Sequence, residues 1–180
     1  MLKAFLHSRI RGLERKFNYD AGYLHEVLDT SLDAFRRFAA FTQMSQYTAG
    51  APKEARFAAQ LAATLTEDCG PCTQIVVNIA LAAGVKGEIL TALLARDFQS
   101  AGDTPAFGFR FGEALARNLP EVTELGEEAE RRFGKRGRLA LTYAAAAARV
   151  YPAVKRGLGL AKECTRIKVG SDEVWVKHAA

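Results

Sequence analysis

The chain has 180 residues, of which 49% are apolar and 25% charged, with a formal charge of +5. That is ordinary globular usage, long enough to bury a core without disulfide staples, and three cysteines are too few and too odd for a secreted disulfide framework. No stretch approaches the ~20 apolar residues a membrane span needs.

The segment Met1 to Arg9 lacks the continuous apolar run of a signal peptide, because His7, Arg9 and Arg11 interrupt it. The expectation is therefore a cytoplasmic protein with no membrane partner. From Ala21, helical periodicity takes over. Leu24, Val27, Leu28, Leu32, Phe35, Phe38 and Ala39 recur at steps of three and four, with Glu26, Asp29, Asp33 and Arg36 between them. Asp20 reads as the N-cap of this stretch. Gly50-Ala51-Pro52 breaks it, and Pro52 suits the first turn of a helix from Lys53 to about Leu65. Glu67-Asp68 leads into a helix from about Cys69 to Ala83, with Asp68 as cap and Gly84 as terminator.

Further helices are expected from Gly87 to about Asp97, from Asp103 or Thr104 to about Asn118, and from Leu119-Pro120 to Phe133. Phe107, Phe109 and Phe111 alternate within this stretch, which otherwise reads as helical. Gly134 to Gly137 reads as a separator before a helix from Arg138 to about Val150, which Pro152 would kink or divide. At the C-terminal end, Arg166 to Val169 and Glu173 to Lys177 alternate around the turn signal Gly170-Ser171-Asp172, which predicts a short β-hairpin. Nothing alternates strand with helix, so the thioredoxin fold is excluded. The expected fold class is all-α, one helical domain over residues 1–180.

The dense basic cluster, Arg131, Arg132, Lys135, Arg136 and Arg138, follows an acidic stretch from Glu121 to Glu130. It reads as a solvated face, and no nucleic-acid partner is expected.

The chemistry concentrates in Thr66-Glu67-Asp68-Cys69-Gly70-Pro71-Cys72-Thr73-Gln74. Two thiols three residues apart at a helix start have the spacing for a short disulfide and the electrostatics for a reactive thiolate. A redox pair is one reading, two inert buried cysteines a second, and a structural zinc site a third. Zinc needs four N or S ligands, and the remaining candidates are Cys164 and the isolated His7, His25 and His178. Neither metal nor cofactor is expected. Glu67 is the nearest candidate proton acceptor, or else a carboxylate that complements the helix dipole. His25 would take the role of base only if its helix packs over the pair. Gln74 or Asn78 could orient a water.

At these residues the chain resembles the AhpD-like (alkylhydroperoxidase D) branch of the carboxymuconolactone decarboxylase superfamily, over about Ala51 to Asp97. The likeness consists of a Pro-started helix, a Cys-x-x-Cys at the next helix start, and Ile79-Ala80-Leu81-Ala82-Ala83-Gly84-Val85 before a further helix. It implies an all-helical homo-oligomer that reduces hydroperoxides and is recycled by a thiol or lipoyl-type reductant. It also implies Cys72 as the attacking thiol and Cys69 as its resolving partner. Two family positions differ: the histidine four residues after the second cysteine is Val76, and the glutamate twelve residues before the first is Phe57. A different class of function fits the same scaffold, a non-catalytic homo-oligomeric binding or redox-sensing protein. The alanine-rich stretch Ala140 to Val150 adds an expectation of self-association, since small apolar residues permit close helix contacts.

Overall fold

The computed structural model describes residues 1–161 and 166–176. They form an all-α fold with a short C-terminal hairpin, the class the periodicity indicates. Cys164 and His178 lie outside the described residues. Nine helices are present among the described residues: α1 (Leu2–Phe17), α2 (Gly22–Thr30), α3 (Leu32–Thr42), α4 (Lys53–Thr66), α5 (Gly70–Ala82), α6 (Gly87–Leu94), α7 (Phe98–Ala101), α8 (Asp103–Arg117) and α9 (Val122–Gly157). A 3₁₀ turn, Gln43–Gln46, follows α3. Strands β1 (Arg166–Val169) and β2 (Asp172–Trp175) pair antiparallel with Ile167 opposite Val174.

The architecture centres on α4 and α8, which approach so closely that no side chain fits between them at two points. A Cβ on Gly108 would lie 2.2 Å from the Ala55 carbonyl oxygen, and one on Gly112 would lie 2.3 Å from that of Ala59. The glycine spacing on α8 therefore matches the alanine spacing on α4. This pair separates two cores. On one side Phe57, Leu61, Leu65 and Phe109 pack with α5, α6 and the buried hairpin residues Ile167 and Val169. On the other, Ala55, Ala59, Phe107 and Phe111 pack against Ala129, Leu141, Ala145 and Ala148 of α9. The alternating phenylalanines are explained by this arrangement. Residues two apart on a helix point to opposite sides, and α8 is covered on both.

The alanine-rich part of α9 is covered within the chain, with Ala140, Leu141, Ala144, Ala145, Ala147 and Ala148 all buried. Its apolar surface is thus used internally, which removes that argument for self-association. The break in α9 is confined to Gly134 (φ 70°, ψ 174°), and helix resumes at once instead of after Gly137. Gly137 lies within the helix, and it is glycine where a Cβ would lie 2.3 Å from Phe133 Cβ and 3.0 Å from the Gly50 carbonyl oxygen. Pro152 does not divide the helix, which continues to Gly157.

Helix α1 falls outside the expected pattern. It carries Leu6, Ile10, Leu13 and Phe17 on one stripe, and these join Tyr19, Tyr23, Leu28, Phe35 and Phe38 in a third apolar cluster. That cluster also contains Ile75 of α5 and Val154 of α9, so it is the part of the fold that covers the cysteine-bearing turn. The long helical stretch from Ala21 is interrupted at Ser31, whose hydroxyl accepts the Ala34 N–H and caps α3. Among the described residues, no helix is long and apolar enough to cross a membrane.

Candidate functional site

Helix α4 ends at Glu67, and the chain turns through Asp68 in the left-handed region (φ 47°) before α5 begins. Asp68 therefore occupies the turn, and Cys69 takes the N-cap position that the sequence suggests for Asp68. Asp is one of the few residues that adopts this conformation at modest cost. Gly70 and Pro71 form the first two helical positions, where a missing proline N–H leaves no helical bond unmade. The Cys69 carbonyl accepts both the N–H (2.9 Å) and the hydroxyl (3.0 Å) of Thr73, which holds the first turn in register.

Both sulfurs are buried, each cysteine being 1% exposed, and neither is in a disulfide. They interact. The Cys72 thiol hydrogen-bonds to Cys69 and is the largest influence on it; burial opposes, and the Cys72 backbone N–H together with the charges of Lys155 and Arg156 adds to the first effect. The outcome is a Cys69 thiol held at about 7, well below an ordinary cysteine. The start of α5 thus favours the first cysteine of the pair, whose sulfur receives the Cys72 N–H.

Three side chains that no local motif announces complete this environment. Tyr19, in the loop before α2, and Tyr23, on α2, are buried and hydrogen-bond to each other. Burial pushes both phenols up, and the neighbouring cysteines push in the same direction. Lys155 of α9 is only 3% exposed, with Nζ 4.5 Å from the Tyr19 ring centroid and 4.7 Å from that of Tyr23. Phe38 backs the pair by meeting Tyr23 and Tyr151 edge-on. The signals available in the sequence were single residues: Tyr19 and Tyr23, four apart, and a lysine in the last turns of a long helix.

Glu67 sits two residues from Cys69, yet its carboxylate is already engaged. Arg149 Nε donates to one oxygen (2.8 Å) and Arg156 Nη2 to the other (2.5 Å), while Arg156 Nη1 donates to the Glu67 carbonyl (3.1 Å). Burial raises the carboxyl, but these hydrogen bonds and the two positive charges outweigh it, so the group lies below the usual carboxylate range. Beside it lies a groove of about 690 Å³ lined by Leu115, Ala146, Val150 and Ala153 with the Glu67–Arg149 pair; neither cysteine lines it.

Helix α2 shares an apolar cluster with α5 through Tyr23 and Ile75. His25, two residues on, points the other way. Its Nδ1 lies 2.6 Å from Nδ1 of His7 and its Nε2 3.5 Å from Glu14, and His7 in turn contacts Asp29 (2.9 Å). Gln74 and Asn78 are also committed elsewhere. Gln74 pairs with both main-chain groups of Lys168 (2.8 Å each), and Asn78 donates to the Phe17 carbonyl (2.6 Å). Glu54 faces Lys53, Phe57 is buried in the first core, and Val76 packs against that core. Among the described residues, no three His, Cys, Asp or Glu side chains converge as metal ligands.

Compared with protein-family models, curated proteins and solved structures, the chain has no match.

Proposed function

We propose that this chain is a thiol-dependent peroxidase or disulfide reductase in which Cys69 attacks and Cys72 resolves. The supporting observation is the Cys69 thiol held at about 7 by Cys72 and the first turn of α5. The thiolate is the reactive form, and at neutral pH about half of such a group is ionised. In the first step Cys69 sulfur attacks one peroxide oxygen, the O–O bond breaks, and the leaving alkoxide takes a proton to become an alcohol. Cys69 is then a sulfenic acid. Cys72 displaces its hydroxyl as water, closing the Cys69–Cys72 disulfide. A dithiol, such as a lipoyl-type group, reduces that disulfide through a mixed disulfide and is itself oxidised.

The family resemblance assigns attack to Cys72, whereas the electrostatics here support Cys69. Glu67 is proposed as an anchor for Arg149 and Arg156, since both of its oxygens are occupied. Self-association now rests on the resemblance alone, and a sedimentation mass of one chain at micromolar concentration would end it.

The test is hydroperoxide loss with a dithiol donor. Cys69→Ser should abolish it, and Cys72→Ser should allow a single turnover that leaves Cys69 as a trappable sulfenic acid. A Cys69→Ser protein that consumes hydroperoxide as fast as the parent would sink the reading. A second reading, redox sensing without turnover, is favoured by the burial of both sulfurs. Repeated turnover per chain separates an enzyme from a sensor, which oxidises once.

A further inference from the structure

His7 of α1 and His25 of α2 make a contact that the thiol chemistry leaves unused. Their Nδ1 atoms meet at 2.6 Å with the ring planes 13° apart, the geometry of one N–H···N hydrogen bond. The two side chains are only 18% and 24% exposed. Each ring turns its outer nitrogen to a carboxylate of the other helix. His7 Nε2 lies 2.9 Å from Asp29, and His25 Nε2 lies 3.5 Å from Glu14. These four groups limit how many protons the pair can hold. A neutral imidazole carries one N–H and an imidazolium two, so the facing nitrogens need one proton between them. Two bare lone pairs repel there, and two N–H groups collide. In the neutral pair the 2.9 Å contact keeps the His7 proton on Nε2, because an ionised carboxylate only accepts; His25 Nδ1 then donates and His7 Nδ1 accepts. A third proton fits on His25 Nε2, against Glu14. A fourth has no place but the 2.6 Å contact itself, where it breaks the bond between the helices and sets two imidazolium rings face to face.

We propose that the His7–His25 pair is an acid-released clamp: it fastens α1 to α2 while one proton lies between the rings, and it lets α1 go when each ring holds both of its protons. Glu14 and Asp29 are the two anions in contact with the pair, and each already faces one ring. The second Glu14 oxygen accepts the Ala21 N–H (3.2 Å). Lys3 and Arg11 stand one turn to either side of His7 on α1, and Lys3 Nζ donates to the Asp29 carbonyl (3.1 Å). These two cations oppose a fourth proton. Helix α5, also packed against α1, carries no Asp, Glu, His, Lys or Arg. Helix α3, packed against α2, has Asp33 paired to Arg37 (2.8 Å) and Arg36 exposed. From α9, Lys155 and Tyr151 face Tyr23 of α2. The sign of the switch follows from the protons. Docked, the pair holds at most three; released, two free imidazoles hold four below their ordinary value of about 6.5. Docking therefore weakens as pH falls below that value. Release withdraws Leu6, Ile10 and Leu13 from the cluster they share with Tyr19, Tyr23 and Ile75. The bond from the Asn78 amide to the Phe17 carbonyl (2.6 Å) does not titrate, so the last turn of α1 stays tied to α5.

The experiment is amide hydrogen exchange of the full-length protein, read by mass spectrometry between pH 6.5 and pH 5, with each rate divided by that of an unstructured chain at the same pH. Free Asp and Glu carboxylates, at about 3.9 and 4.3, stay largely ionised over this range. Protection of α1 should fall about tenfold from pH 6.5 to pH 5, because release takes up one proton, while protection of α4 and α8 holds. His7→Gln and His25→Gln should each abolish that fall, since a single ring beside a neutral amide has no fourth proton to refuse. If a variant leaves α1 unprotected at pH 6.5 already, the parent profile and its imidazole ¹⁵N spectrum decide. That spectrum at pH 6.5 should show one of the two facing nitrogens protonated and the other bare. The clamp is overturned by a flat α1 profile in the parent, by a fall that persists in both variants, by an equal fall in α4 and α8, or by two protonated facing nitrogens at pH 6.5.

Discussion

Arg156 binds Glu67 twice, through its carboxylate and through its main-chain carbonyl. The contact ties the end of α9 to the turn that joins α4 to α5, two residues before Cys69. With Arg149 on the second carboxylate oxygen, the turn is held by two guanidinium groups from one helix face. A residue that looks like a proton acceptor from its sequence position is thereby the fixed point that ties α9 to the turn before Cys69.

Glu67→Gln should therefore lower stability by about 1–2 kcal/mol at pH 7, a range set by charge-assisted bonds with half-exposed partners. The sign of the pH dependence follows from the lowered Glu67 carboxyl. Its contribution is complete above the unfolded value of about 4.3 and disappears as pH falls through the folded value. Urea unfolding at pH 7 and pH 3 should show a difference between parent and variant that is smaller at the second than at the first. Cys69 alkylation profiles should nearly coincide. A general base would instead cost about 10²–10⁴ in rate on removal.

Gly112→Ala tests the central helix pair. The added Cβ meets the Ala59 carbonyl oxygen at 2.3 Å, and a backbone atom has no rotamer by which to move aside. Helices α4 and α8 must separate, opening both cores. The expected loss is about 3 kcal/mol or more, at the upper end for overpacking, read as a fall in thermal midpoint. A cost within about 1 kcal/mol would mean that the two helices adjust freely.

What the sequence reveals follows from what is local. The starts of α4 and α5, the stop at Gly84 and the hairpin turn at Gly170 are written in neighbouring residues. Helix α1 is harder to read because its apolar stripe, Leu6, Ile10, Leu13 and Phe17, lies among five Arg and Lys residues and is interrupted by His7 and Gly12. The glycines of α8 look like a weakness in a helix until Ala55 and Ala59 are placed opposite them. At the site, Cys69, Cys72 and Glu67 are legible as chemistry. Their partners are not, because Tyr19, Tyr23, Arg149, Lys155 and Arg156 come from sequence positions that only the fold brings together.

Gln74→Ala should loosen the hairpin while sparing the rest. The side chain satisfies both the N–H and the C=O of Lys168, as a neighbouring strand would. Its loss exposes both groups of β1 on the α5 side. Amide exchange at Lys168 should accelerate by about tenfold, with the helical cores much less affected. Uniform acceleration across the chain would mean that the hairpin and the cores open as one unit.

Cys69 gives a pH prediction of opposite range to that of Glu67. An acidic group whose folded value is lowered adds stability above its unfolded value and loses it as pH falls through the folded one. For Cys69 these limits are about 8.5 in the unfolded chain and about 7 in the fold. Under reducing conditions, the parent should gain stability relative to Cys69→Ser as pH rises from 7 to 9, and the difference should be flat below about pH 6. Replacing Cys72 with alanine removes the hydrogen bond that contributes most to the lowered value, so the gain should shrink in that background. Chemical denaturation of the four combinations across pH 5 to 9 measures the coupling directly. A parent that gains nothing over Cys69→Ser between pH 7 and 9 would show that Cys69 remains a protonated, inert thiol, and the attack proposed for it would fall with that result.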